Sequence, residues 1–152
     1  MQLLETMNEK EGALQEAMIG AADYPSDAGL NFEAGELMLR LRGDTKTAAK
    51  YLERALRTDS RLVRARTDLG DAYAELERFE DAIRQVNQIL NTDEDGALHY
   101  RLARWYRETG HAQEAAEALR ISKRTKEQRI EKERNGSTGR SISQSKRIAT
   151  TK

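Results

Sequence analysis

Leu69-Gly70-Asp71-Ala72-Tyr73, followed by Phe79, Ala82, Ile83, Val86 and Ile89-Leu90, sets small against large apolar side chains at spacings of three and four. That is the period of one face of an α-helix. The polar pair Glu77-Arg78 interrupts the apolar series once, so the stretch predicts two helices joined by a tight turn. Two helices approach closely only where a small residue such as Gly70 or Ala82 admits a neighbour's large one.

The pattern recurs along the chain. Gly43 to Glu77 is 34 residues and Glu77 to Gly110 is 33, while Ala48, Ala82 and Ala115 follow at 34 and 33, and Asp59 to Asp93 is 34. A fixed period near 34 with two helices in each period is the mark of stacked helical hairpins. The third unit carries Leu102-Ala103 and Tyr106, then Gly110, Ala115 and Leu119. In the first unit the second helix is in register through Ala48, Leu52, Ala55 and Leu56. Its first helix places Gly35 one residue too early to align with Gly70, so one extra residue near Leu41-Arg42 is expected in the turn.

These units resemble the tetratricopeptide repeat family over about residues 8–122. The resemblance implies an all-α fold, an α-solenoid of antiparallel helix hairpins with about three repeats plus a partial one at the N-terminus, wound into a superhelix. Departures are Arg66 and His99 where the family has an aromatic, and Ser60 and Glu94 where it has a proline. The expected boundaries are a partial repeat at 1–26 and repeats at 27–60, 61–94 and 95–120. A basic helix or cap at 121–134 and a disordered tail at 135–152 complete the chain. Asn8 with Glu11 makes a capping-box pattern that predicts a helix from Asn8 to about Asp23, ended by Tyr24-Pro25. Gly43, Ala48, Gly70, Tyr73, Ala82, Ala103, Tyr106, Gly110 and Ala115 are the expected packing positions.

Composition agrees with helices. Alanine outnumbers Val plus Ile by 20 to 9, and there is a single proline for 152 residues, a balance that favours closely packed helices over a sheet. Lys plus Arg and Asp plus Glu are equal at 26 each, yet residues 121–152 carry ten basic and three acidic residues, a basic tail on an acidic body. The longest run without a charge, Gln85 to Thr92, is eight residues, far below the ~18 that a membrane span requires. No cysteine is present, which excludes disulfides and thiolate sites. Met1 to Lys10 lacks the basic and apolar blocks of a secretory signal, and the cytoplasm is the expected compartment.

Catalytic motifs are missing: there is no nucleophile elbow, phosphate-cradling glycine loop or dinucleotide fingerprint. His99 and His111 stand twelve apart on different helices and make no metal site. No enzyme activity, cofactor or metal is expected. The family resemblance implies instead a scaffold whose first helices line a concave groove for a peptide or a partner's helix. Here that groove would be built from Glu33, Arg64, Thr67, Asp68, Asp71, Glu75, Tyr100, Arg101, Arg104 and Arg107. Glu33, Glu36, Asp68 and Asp71 make its front acidic, and the third unit is basic. Arg101 and Arg104 beside Tyr100 form either a cradle for a carboxylate or a solvated face paired with Glu108, Asp68 and Asp71. Thr67, Asp71 and Ala97 stand where one subgroup of the family places the Lys and Asn that clamp chaperone tails, which argues against that ligand. Trp105 and Tyr106 read as hairpin core, with a ligand platform as the competing reading. The segment from Ile121 to Arg134 reads as a solvating cap or as a contact for nucleic acid or an anionic membrane. Leu14, Met18 and Ile19 near the open N-terminal end invite self-association or an upstream partner.

Overall fold

The computed structural model describes the backbone of residues 2–148 and the side chains of residues 8–136. Among these residues there are seven α-helices and no strand: α1 Gln2–Asp23, α2 Ala28–Arg40, α3 Thr45–Thr58, α4 Val63–Glu75, α5 Phe79–Asn87, α6 Ala97–Glu108 and α7 Ala112–Ile148. A short 3-10 turn, Leu90–Thr92, follows α5. Helices α2 with α3, α4 with α5 and α6 with α7 form three hairpins, and α1 packs against α2 as the second helix of a partial fourth. Direct contact between α2 and α4 places the first helices side by side along one face of the stack.

Helix starts are set by acidic caps where the sequence supplies them. Asp27 accepts a hydrogen bond from the Leu30 amide at 2.9 Å and Asp44 from the Lys46 amide at 3.1 Å, each satisfying a donor that an α-helix leaves open at its start. The Asn8 cap pattern is not used. Helix α1 begins at Gln2 and Asn8 lies within it, because Leu3, Leu4, Glu5 and Met7 are good helix formers and extending an existing helix backwards adds one bond per residue fixed. Helix α7 continues past Asn135, where the sequence suggests disorder, and its backbone is helical to Ile148. The side chains of 137–152 lie outside the described residues.

Packing is tightest at the small residues. A Cβ on Gly70 would stand 3.1 Å from a Val86 methyl and 3.3 Å from the Trp105 ring, and one on Gly35 would stand 2.8 Å from Leu52. Leu52 and Val86 are 34 apart, so Gly35 and Gly70 occupy equivalent places although 35 residues separate them. Ala48, Ala82, Ala103 and Ala115 are buried, as are Leu52, Leu69, Tyr73, Val86 and Trp105, which form the continuous core between hairpins. Tyr106 is half-buried against that core, edge-on to the His111 ring. Trp105 thus belongs to the core and offers no platform for a ligand.

The register of the turns differs in one respect from the sequence expectation. Backbone φ is positive at Arg42, Glu77 and Gly110, and the next amide bonds back to Met38, Tyr73 and Tyr106 in turn, a common way to close a helix. Gly43 is therefore not the partner of Glu77. It follows the left-handed residue and is exposed, and the extra residue sits in the four-residue α2–α3 turn, against three residues between α4 and α5. Gly110 takes the left-handed conformation with open space around its Cβ direction, so its role is conformational.

Candidate functional site

The exposed rims of α2, α4 and α6 form the inner face, and two ion pairs tie these helices to one another. Arg64 on α4 pairs with Glu36 on α2 and lies over the Phe32 ring, 5.5 Å from its centre. Arg101 on α6 reaches Asp71 on α4 through Nε at 2.8 Å and Nη2 at 3.0 Å, a two-point contact that fits the planar guanidinium. Bonding to Asp71 first, with the charges of Asp71, Asp68 and Asp95 behind it, holds the Arg101 pKa above its ordinary value. Between the two pairs lies Asp68. Burial, then the charges of Glu36 and Asp71, push its carboxyl up to about 6 against the pull of Arg64 and Arg101, and its Oδ2 has no hydrogen-bond partner among the described residues.

The remaining expected groove residues separate. Thr67 donates to the Val63 carbonyl of its own helix. Glu33 is exposed on α2. Glu75, Arg104 and Glu108 line a hollow between α4 and α6, beside the edge of the buried Trp105. Tyr100 is half exposed beside Arg101, at the mouth of a cleft between α6 and α7. Arg107 lines a hollow against α7 with Ala112, Ala116 and Arg120, which shares Leu119 and Lys123 with that cleft. Three residues on a helix are 300° apart, so the spacing 101, 104, 107 drifts off the face within two steps. Arg101 is engaged by Asp71, whereas Arg104 makes no ion pair or hydrogen bond among the described residues.

Asn31, Arg66 and His99 occupy one position in successive repeats, the place of the family aromatic, and each bonds back to the turn that precedes its helix. Asn31 donates to the Pro25 and Asp27 carbonyls, and Arg66 donates to the Ser60 carbonyl and to Gln85. The His99 ring meets Asp93, whose carboxylate also accepts from the Leu98 and His99 amides at 3.2 and 3.0 Å. Burial raises the Asp93 pKa, but the bonds from His99 and the two amides outweigh it and leave the carboxyl below its ordinary value. Polar ties thus replace aromatic packing at this position. Tyr73 likewise donates to Glu53 at 2.7 Å under the Arg78 guanidinium, and burial with the Glu53 carboxylate pushes its hydroxyl up to about 12.

Residues 39–99 match the Tetratricopeptide repeat family model. That segment carries the tetratricopeptide repeat pattern. No curated protein matches it in sequence. Among solved structures the stack is similar to MamA MSR-1, with a TM-score of 0.72 at 20% identity over 79% of this chain and 69% of that one. Two further MamA structures are similar: one has a TM-score of 0.73 at 15% identity over 80% and 71% of the two chains. The other, MamA AMB-1, has 0.70 at 21% identity over 75% and 68%. At these identities the likeness shows the tetratricopeptide fold.

Among the described residues no group of His, Asp and Glu could hold a metal ion, and no helix is long and apolar enough to cross a membrane. At the N-terminal end, Ile19 is exposed, and Leu14 and Met18 border a shallow outer groove between α1 and α3 that Tyr51 closes. The sequence reading missed Glu36 as the partner of Arg64, and it missed the meeting of α6 with the continuation of α7. Both are contacts between distant residues, and local spacing carries no signal for them.

Proposed function

We propose that the chain is a non-catalytic protein-interaction scaffold whose inner face receives an extended peptide or a partner's helix. The observation that carries this reading is the grading of charge along that face. Carboxylates of Glu33, Asp68 and Glu75 lie towards α2 and α4, while Arg104 and the half-exposed Tyr100 lie on α6. A segment basic at one end and acidic at the other complements this order, and electrostatic complementarity fixes register and orientation more than raw affinity. Tyr100 supplies a rigid surface that costs little entropy to immobilise.

Peptides of mixed charge, titrated into the isotope-labelled chain, test the reading through amide shifts. Shifts should fall on α2, α4 and α6, and reversing the charge order of a bound segment should weaken it by about tenfold, or ~1.4 kcal/mol. Equal binding of both orders, or shifts confined to α3 and α5, overturns it. Contact with nucleic acid or an anionic membrane through α7 is the competing reading. It is less favoured, because Glu127, Glu131 and Glu133 interrupt the basic residues of that helix.

A further inference from the structure

Helix α6 starts against α7 at an unusually close approach. Gly96 takes φ of +79°, the Ser122 hydroxyl donates to its carbonyl at 2.7 Å, and a Cβ at Gly96 would stand 2.3 Å from the Ser122 carbonyl oxygen. Beyond this contact α7 runs on past the start of α6, and residues of both helices line a cleft of about 530 Å³. Its floor is apolar, made by Gly96, Ala97 and Leu119, and Tyr100 stands at its mouth. Along α7, Lys123, Lys126 and Arg129 recur every three residues and line the wall. Arg129 has two acidic neighbours, Asp95 at 3.7 Å and Glu133 at 3.5 Å. Lys123 and Lys126 are exposed and have no ion pair or hydrogen bond among the described residues.

Resting on the inner-face reading above and extending it, we propose that this cleft is a docking subsite for an acidic segment of a partner protein that carries one aliphatic or aromatic anchor. Lys123 and Lys126 meet the carboxylates, and Leu119 with Tyr100 receives the anchor. The floor argues for a side chain, because burying apolar surface there gains free energy that a phosphate cannot supply. The lining argues against a nucleic-acid strand, because Tyr100 is the single aromatic among its residues available for base stacking. The cleft opens beside Arg101 and continues the basic end of the inner face, so one extended segment can occupy both. The cations of α7 then belong to the binding surface and do more than solvate the end of the stack.

The test is an anisotropy titration of the full chain with a labelled twelve-residue probe in which a leucine is flanked by Asp and Glu. Three controls accompany it: a serine replacing the leucine, Lys and Arg replacing the acids, and a single-stranded oligouridylate. The acidic leucine probe should bind saturably and weaken at least about tenfold in the K123E/K126E double variant. It should change less than about twofold in K132E, which reverses an exposed cation of the same helix outside the cleft. Equal binding by the serine probe or by the oligouridylate overturns the proposal, as does indifference to K123E/K126E. If the acidic probe fails while mixed-charge peptides shift the amides of Thr67, Asp68 and Glu75, the cleft proposal falls and the inner-face reading stands. If the acidic probe fails and no mixed-charge peptide shifts the inner face, both fall.

Discussion

The two halves of the inner face use charge for different purposes. In the front half, between α2 and α4 and on to Asp71, Arg64 and Arg101 are each held by a carboxylate of the preceding repeat. Charge there serves to keep neighbouring first helices together. In the back half, on α6 and the continuation of α7, Arg104, Lys123 and Lys126 are held by nothing among the described residues, and that region is positioned instead by backbone contact at Gly96. A repeat stack can therefore free its cations for a ligand where glycine and a buried hydroxyl do the joining. Surface charge in repeats is often read as solvation alone; here Lys123 and Lys126 stay unengaged among the described residues although Arg101 and Arg129 of the same cleft are paired.

The sharpest way to break this contrast is at Gly96. Gly96→Ala forces a side chain into a left-handed backbone and against the Ser122 carbonyl, a clash that moves α7 rather than a flexible side chain. A loss of about 3 kcal/mol or more is expected, read as a fall in the midpoint of chemical or thermal unfolding. Gly110→Ala is the control, since its φ is almost the same at +77° but nothing lies within 4 Å of the added atom. It should cost only about 1 kcal/mol, the conformational part alone. Equal losses for the two would show that the α6–α7 junction is not held by close backbone approach.

Asp68 probes the front half. Its carboxyl is raised from 3.8 to about 6 by burial and by Glu36 and Asp71, so the folded chain binds a proton more tightly than the unfolded one. The contribution of this group is fully present below about pH 4 and is lost as pH rises through 6, where the buried carboxylate must be ionised. Asp68→Asn should remove that part of the pH dependence and raise stability at pH 7 by about 1–2 kcal/mol, the full linkage value being reduced because the carboxyl is partly open to solvent. Denaturant melts at pH 4, 5, 6 and 7 on both proteins decide it; parallel curves would mean that the front half tolerates the ionised carboxyl at no cost.

How much of this was legible in the sequence depends on the range of the interaction. The repeat period was readable because Ala48, Ala82 and Ala115 are all buried at corresponding places in their units, a requirement fixed by spacing within one unit. The Asn8 capping pattern misled because a cap acts only if the chain before it leaves the helix, and the residues before it do not. The spacing of Gly43 misled for a similar reason: glycine is favoured in a left-handed turn, yet Arg42 adopts that conformation one residue earlier. The expected groove residues lie on α2, α4 and α6, but their pairing was not visible in the sequence. Arg101 and Asp71 are 30 residues apart and Ser122 and Gly96 are 26 apart, and which side chain meets which across repeats depends on how the helices are stacked.

The Arg101–Asp71 pair sharpens the comparison at a smaller scale. A double-mutant cycle on Arg101→Ala and Asp71→Ala should give a coupling of about 0.5–1 kcal/mol that shrinks in high salt, as expected for a two-point pair still reached by solvent. No coupling would place Arg101 with the unengaged cations and extend the back half inward.

The smallest expected effect is the most informative about function. Arg104→Ala and Lys126→Ala should each change stability by no more than about 0.5 kcal/mol, because neither side chain has a partner to lose. Lys123 and Lys126 stand three apart on α7, and mutual repulsion between them should make removal of Lys126 neutral or slightly stabilising at low salt, whereas Arg104 lines a hollow with Glu75 and Glu108. Unfolding midpoints at low and high salt measure this directly. A cost above 1 kcal/mol for either variant would give these cations a structural task, and the division between a front half that holds and a back half that binds would fail.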